Sequence, residues 1–260
     1  TVPEDHILGA TGRLQNPEEV LTAEQRERLE LARVASEPVL IVSQAEAELA
    51  EKEKKTGTKT WVFQADSVRD FAFSSSRKFI WDAQGVEIGG KTVMAMSYYP
   101  KEGNPLWGDY STNVVVHTLK KYSDHTFPYP YHKAISVNTN YMGMEYPMIC
   151  FNWGRTDENG DYSDAEKYSM LGVIIHEIGH NFFPMIVNSD ERQWAWMDEG
   201  LNSFLQYLTE QSFDPSFPSE GGPPKNIVPY MRLDSHLLSP IMTNPEQIQS
   251  LGPNAYDKPA

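Results

Sequence analysis

At 260 residues, 40% hydrophobic and 12% aromatic, the chain has material for a sizeable core in one large domain, or in one domain with part of another. Its formal net charge of -14 excludes a nucleic-acid partner, because phosphate binding needs clustered Lys and Arg. No apolar run approaches the roughly 20 residues that span a bilayer, and Cys150, the only cysteine, rules out an intramolecular disulfide. Its setting in PMICF predicts a buried, inert thiol. HILGATGRL reads as strand. Thr22 and Gln25 form a capping box ahead of the helical AEQRERLELARVA. EPVLIV returns to sheet, Ser43 and Glu46 cap a short charged helix, and TWVFQA is strand-like after a polar turn.

Beyond VRDFAFSSS, RKFIWDAQG and KTVMAMSYYP predict strands, DYSTNVVVHTLKKYSDHTF an amphipathic helix, and AISVNTN and PMICFNW further strands. In GRTDENGDYSD the acidic spacing is superficially that of a calcium loop, but Tyr162 and Tyr168 stand where Gly and Glu are needed, so a solvated turn is the reading. A long helix follows, capped by Ser163 and Glu166. A second runs through ERQWAWMDEGLNSFLQYLTEQ, with Met197, Leu201, Phe204 and Leu208 at core-facing spacing. FDPSFPSEGGPPKN is a Pro/Gly-rich loop before a last helical portion around NIVPYMRLDSHLL. The chain starts at Thr1 and stops at AYDKPA without a terminal element, which reads as a piece of a longer protein. It reads as soluble. The compartment is open, with export or a periplasmic home among the alternatives, and so is the oligomeric state.

The chemistry centres on HEIGH, His176 to His180, within the apolar MLGVIIHEIGHNFF. Residues four apart share a helical face, so two imidazoles can converge on one ion. Burying them with Glu177 costs several kcal/mol unless something compensates, and zinc would. The bland alternative is two structural histidines with a surface Glu between them. A catalytic zinc normally takes three protein ligands and keeps one position open, so a third ligand should follow. Glu199 follows on the second helix, with eighteen residues between it and His180. Asp198 beside it could orient a ligand or point away. His117, His125, His132 and His236 need no metal.

HEIGH followed by Glu in WMDEG resembles the signature of the aminopeptidase N family of gluzincins, which usually ends in WLNEG. A metzincin would need Gly and a third His soon after His180, and FFPMIV supplies neither. Upstream, GMEYP resembles the family's GAMEN, whose Glu holds the substrate's free α-amine. The resemblance gives that role to Glu145, with Gly143 and Met144 in the same substrate-binding stretch. Tyr146 replaces the usual Asn, which bears on the shape of the adjoining pocket. Downstream, AYDKPA resembles YEKGA, whose tyrosine stabilises the tetrahedral intermediate, and this falls to Tyr256, with Pro259 in place of Gly.

The resemblance therefore implies an α+β, two-lobed thermolysin-like catalytic domain, with a mixed-sheet lobe and a helical lobe carrying HExxH. Residues 1–75 or so would be the end of a β-rich N-terminal domain, and 76–260 the catalytic domain without its later helices. It implies one zinc per chain held by His176, His180 and Glu199, with Glu177 as general base and Tyr256 as catalytic hydroxyl. Peptides with a free N-terminus are the implied partners. The alternatives are a zinc endopeptidase with an open cleft and a catalytically silent peptide-binding module of the same fold.

Overall fold

The computed structural model describes residues 1–141, 143–219, 228, 232 and 235–260. They form two compact units, Thr1–Ile178 and Gly179–Ala260. In chain order the first holds β1 (Val2–Pro3), β2 (Ile7–Ala10), β3 (Arg13–Leu14), α1 (Pro17–Val20), α2 (Ala23–Ala32), β4 (Val39–Val42), α3 (Gln44–Glu53), β5 (Thr58–Lys59) and β6 (Phe63–Gln64). It continues with β7 (Phe73–Ser76), β8 (Ile80–Ile88), β9 (Lys91–Tyr99), α4 (Leu106–His125), β10 (Lys133–Asn138), β11 (Gly143–Tyr146), β12 (Ile149–Asn152) and α5 (Asp164–Gly179), whose last residue opens the second unit.

Six strands make one mixed sheet in the order β11-β12-β10-β9-β8-β4. The central pairs β9/β10 and β10/β12 are parallel, and β4/β8, β8/β9 and β11/β12 are antiparallel. Three short two-stranded sheets, β1-β5, β2-β7 and β3-β6, carry the N-terminal segments. One core joins Ile7, Leu8, Val20 and Ile41 to Trp81, Met96, Tyr98, Ile135, Val137 and Ile149 of the large sheet. Since side chains alternate across a strand, the other face is left for helices. There α4 buries Trp107, Val114, Val115, Leu119 and Tyr122, and Trp107 donates its indole N–H to the Gly154 carbonyl at 2.8 Å.

All three capping boxes read from the sequence form. Thr22 with Gln25, Ser43 with Glu46, and Ser163 with Glu166 each satisfy two helix-start N–H groups reciprocally. Asp157 accepts the backbone N–H groups of Asn159 and Asp161, both at 2.8 Å, as a solvated turn does. Of TWVFQA only Phe63–Gln64 is paired, and α4 starts directly after Pro105, a little ahead of its expected first residue.

Asp82 of β8 is buried with two hydroxyl partners, Tyr99 donating to Oδ2 at 2.7 Å and Thr112 to Oδ1. Burial pushes its carboxyl up to about 6, with the two hydrogen bonds opposing. A carboxyl that binds its proton more tightly when folded adds stability that is complete below its unfolded value and lost as pH rises through the folded one. Urea unfolding should therefore show stability falling by about 2 to 3 kcal/mol from this group between about pH 4 and about pH 6. Asp82→Asn should flatten that slope, and an unchanged slope in the variant would assign the pH dependence elsewhere.

The second unit moves the start of the expected second helix to Ala195, from which the backbone is helical without a break to Phe213. Trp196–Gly200 is a π-helical turn, and α6 (Leu201–Phe213) follows it. The buried face of α6 is also not the expected stripe. Leu201 and Phe204 are 40% and 43% exposed, whereas Asn202, Leu205, Thr209 and Glu210 are buried. Polar groups occupy the inner face because they find partners there: Thr209 donates to the Leu205 carbonyl at 2.8 Å, and Glu210 accepts from Gln206 at 2.7 Å. Hydrophobicity alone pointed one position off. The loop expected from FDPSFPSEGGPPKN is described only to Ser219, and most of NIVPYMRLDSHLL lies outside the described residues. Its Ser235–Leu237 makes a 3-10 turn. The last element is a π-helical turn, Gly252–Asp257. Among the described residues no helix is long and apolar enough to cross a membrane.

Candidate metal centre

Within the first unit, α5 is held by apolar burial: Met170, Leu171, Ile174, Ile175 and Ile178 are fully enclosed. His176 and Glu177 stand in its last turn, and Glu177 is buried. The strand pair β11/β12 runs beside this turn. Gly143 pairs with Asn152 and Glu145 with Cys150, so these four share one face of the pair, while Met144, Tyr146, Ile149 and Phe151 share the other. The first face is the one toward α5, because the Cys150 thiol donates to the Glu177 carbonyl at 3.0 Å. Cys150 is thus buried as expected, with a partner that composition could not supply.

Tyr146 lies on the opposite face. Its ring meets Phe151 edge-on at 5.9 Å between centroids and packs against the core under the sheet. The replacement of Asn by Tyr therefore adds bulk to the core side of the strand pair and leaves the α5 side, with Glu145, unchanged. Met144 is half-exposed.

Within the second unit, the imidazole of His180 is gripped at both nitrogens. Nδ1 lies 2.8 Å from the Phe183 carbonyl oxygen and 3.2 Å from Asp198 Oδ1. A carbonyl only accepts, so Nδ1 carries the proton and Nε2 presents its lone pair. Nε2 in turn faces Glu199 Oε2 at 3.3 Å. Neighbouring residues thus reach opposite nitrogens of one ring from the turn Trp196–Gly200, of a kind enriched at functional sites. Asp198 is the residue the sequence left undecided. It lies where an outer partner of a metal-bound histidine would lie.

Tyr256 comes to the same carboxylate from much later in the chain, its hydroxyl donating to Glu199 Oε1 at 2.8 Å. Two contacts seat it. A Cβ added to Gly200 would stand 2.3 Å from Pro259 Cβ, although the Gly200 backbone, at φ -69° and ψ -43°, is ordinary helix. Glycine is needed there for space, so that the AYDKPA segment can lie directly on WMDEG. Asn254, buried and unforeseen in the sequence, accepts from the Ser239 N–H at 2.6 Å and donates to the carbonyls of Leu237 and Ser250. Pro259, a departure from the family pattern, is the residue that fills the space over Gly200.

The donor set fits a metal. Nε2 of His180 and Oε2 of Glu199 are both electron-pair donors at 3.3 Å, an arrangement that requires a cation or a proton between them. Imidazole nitrogen with carboxylate oxygen is a set zinc accepts, and His176 stands one helical turn earlier at the spacing that adds a second imidazole.

A helix ending in His-Glu-x-x-His, followed by a carboxylate set against its second His, defines a metallopeptidase domain of the HExxH class. The family is narrower: the model described as peptidase family M1 domain matches residues 110–249, and the chain belongs to that family, as an aminopeptidase N-type gluzincin. The chain is 27% identical over 198 residues to human endoplasmic reticulum aminopeptidase 1, covering 70% of this chain and 20% of that protein. Over 122 residues it is 29% identical to human aminopeptidase N, covering 42% and 12%. It thus spans a fifth or less of these curated relatives. Among solved structures, the M1 zinc metallopeptidase of Deinococcus radiodurans aligns with 99% of this chain and 48% of its own, at a TM-score of 0.61 and 16% identity. The α+β fold is that of M1 metallopeptidases, and family membership implies zinc as the metal.

Proposed function

We propose that the chain is the catalytic part of a zinc-dependent aminopeptidase, with His176, His180 and Glu199 as ligands of one zinc ion. Residues from about 76 onward would be the catalytic domain, and those before it the end of a β-rich one. The observation that carries the reading is His180, its proton fixed on Nδ1 and its Nε2 lone pair aimed at Glu199. Bound zinc would supply Lewis-acid polarisation of the scissile carbonyl and a water of lowered pKa. Glu177 then takes the water's proton and delivers it to the leaving amine. Tyr256 donates its hydroxyl where negative charge develops on the carbonyl oxygen. Asp198 and the Phe183 carbonyl keep His180 in its ligating tautomer.

Exopeptidase action rests on Glu145. It shares the α5 face of β11 with Gly143, where a carboxylate can pair with a substrate's α-ammonium and set the register for removing one residue. Such a charge-assisted contact contributes roughly 1.5 to 3 kcal/mol, or about ten- to a hundredfold in specificity. Unblocked aminoacyl anilides should therefore be cleaved by the zinc-loaded full-length protein and their N-acetylated counterparts be nearly inert, with Glu145→Gln narrowing the difference. Efficient cutting of blocked peptides at internal bonds would establish the endopeptidase alternative. No zinc-dependent cleavage of either would leave the silent binding module.

A further inference from the structure

We propose that Arg13 and Lys133, with His132 beside them, form an anion site that takes inorganic phosphate. The site lies within the first unit, where β3 and β6 meet the start of β10, and it needs neither zinc nor catalysis. Lys133 opens β10 and is only 6% exposed. It shares a strand face with Ile135 and Val137 of the core, so its ammonium stands on the side of the N-terminal strands. What meets it there is a ring. Nζ lies 5.1 Å from the centroid of Phe63 on β6, and Phe63 is stacked on Trp61 at 6.3 Å. Arg13 of β3 pairs with Gln64, the next residue of β6, and is exposed. The arrangement thus runs from an open guanidinium to a buried ammonium, with the half-buried His132 hydrogen-bonded to the Gly12 backbone.

No negative charge answers these groups. Among the described residues no carboxylate lies within ion-pair distance of Arg13, His132 or Lys133. The charges that act on them are positive: Arg13 on Lys133, and Lys133, Arg13 and Arg33 on His132. Arg33 already has a partner, Glu30 at 3.1 Å. Shortage does not explain the gap, because the chain holds 36 acidic residues against 22 basic ones. Burial first, and Arg13 second, push the Lys133 ammonium down to about 7. An aromatic face restores only part of the hydration that an ammonium loses, and an anion from solution would supply the rest. The donors select the anion. A carboxylate would fill the guanidinium fork alone, whereas a phosphate dianion has oxygens for the fork and the ammonium together.

Inorganic phosphate is the probe, titrated calorimetrically into the zinc-loaded full-length protein at constant ionic strength. Wild type should bind it with a Kd of about 1 mM or tighter. Lys133→Met and Arg13→Gln should each weaken binding by about ten- to a hundredfold, the loss expected of one charge-assisted contact. Acetate should bind at least about tenfold more weakly than phosphate. In phosphate-free buffer Lys133→Met should raise Tm, since it removes a buried charge that lacks a counterion. Added phosphate should then stabilise wild type more than this variant, and the difference between the two removes the general effect of an excluded salt. Should Lys133→Met not fold, Arg13→Gln changes an exposed residue and carries the same test. Absence of saturable binding, binding kept in both variants, binding lost when a chelator removes zinc, or acetate held as tightly as phosphate would each overturn the proposal.

Discussion

Glu177→Ala is expected to bind zinc as the wild type does and to lose turnover by roughly 10²- to 10⁴-fold, the range that a positioned general base contributes. Adjacent residues on a helix are about 100° apart, so a glutamate directly after the first histidine of the pair does not share the histidines' line of approach to the ion. As a base and not a ligand it would be in place to move protons. Its burial fits that work, because a base screened from bulk water returns the proton to the leaving amine and not to solvent. Removing the carboxylate should leave both imidazoles and Glu199 as they were, and metal analysis should still find about one zinc per chain. Turnover that survived would take the base away from Glu177. Loss of the metal together with activity would mean that Glu177 is a ligand and that one of the three proposed ligands is not.

Local signals in the sequence were legible because their physics is local. A capping box joins residues three apart and needs nothing from the rest of the chain, and all three form. The long β8 and β9 and the apolar α5 were equally readable, since periodicity over many residues outweighs context. What could not be read depends on partners distant in sequence. Asp198 points at His180 because a π-helical turn sets its direction, and nothing in WMDEG distinguishes that turn from ordinary helix. The inner face of α6 carries Asn202, Thr209 and Glu210, so a search for apolar spacing selected the half-exposed stripe beside it.

Glycines show the same division. Gly143 and Gly200 occur inside motifs, and the motifs do not say what each glycine touches. Only the neighbours reveal it: the Glu177 carboxylate over one and the Pro259 ring over the other. Tyr146 is the converse case. Its side chain looked like an intrusion beside Glu145, but strand alternation turns it to the core, so the substitution falls on the side of the sheet away from α5.

Tyr256→Phe is expected to lower kcat by about 10²- to 10³-fold while changing KM little, the signature of a donor needed mainly when the oxyanion forms. The hydroxyl now donates to Glu199 Oε1, which gives it a second conceivable role, that of holding a metal ligand in place. The two roles separate cleanly. A residue that only orients a ligand weakens metal binding, typically by 10- to 100-fold, and excess zinc then restores the rate. A residue that stabilises the transition state leaves zinc affinity close to the wild-type value, and added zinc recovers nothing. Gly200 and Asn254 hold the backbone of the tyrosine segment independently of the phenol, so the phenylalanine ring should occupy the same place and the comparison should isolate one hydroxyl. Zinc titration of the variant alongside kcat at saturating zinc is the decisive pair of measurements. Full recovery of kcat at high zinc would reduce Tyr256 to a support for Glu199, and an unchanged kcat at every zinc concentration would remove it from the chemistry altogether.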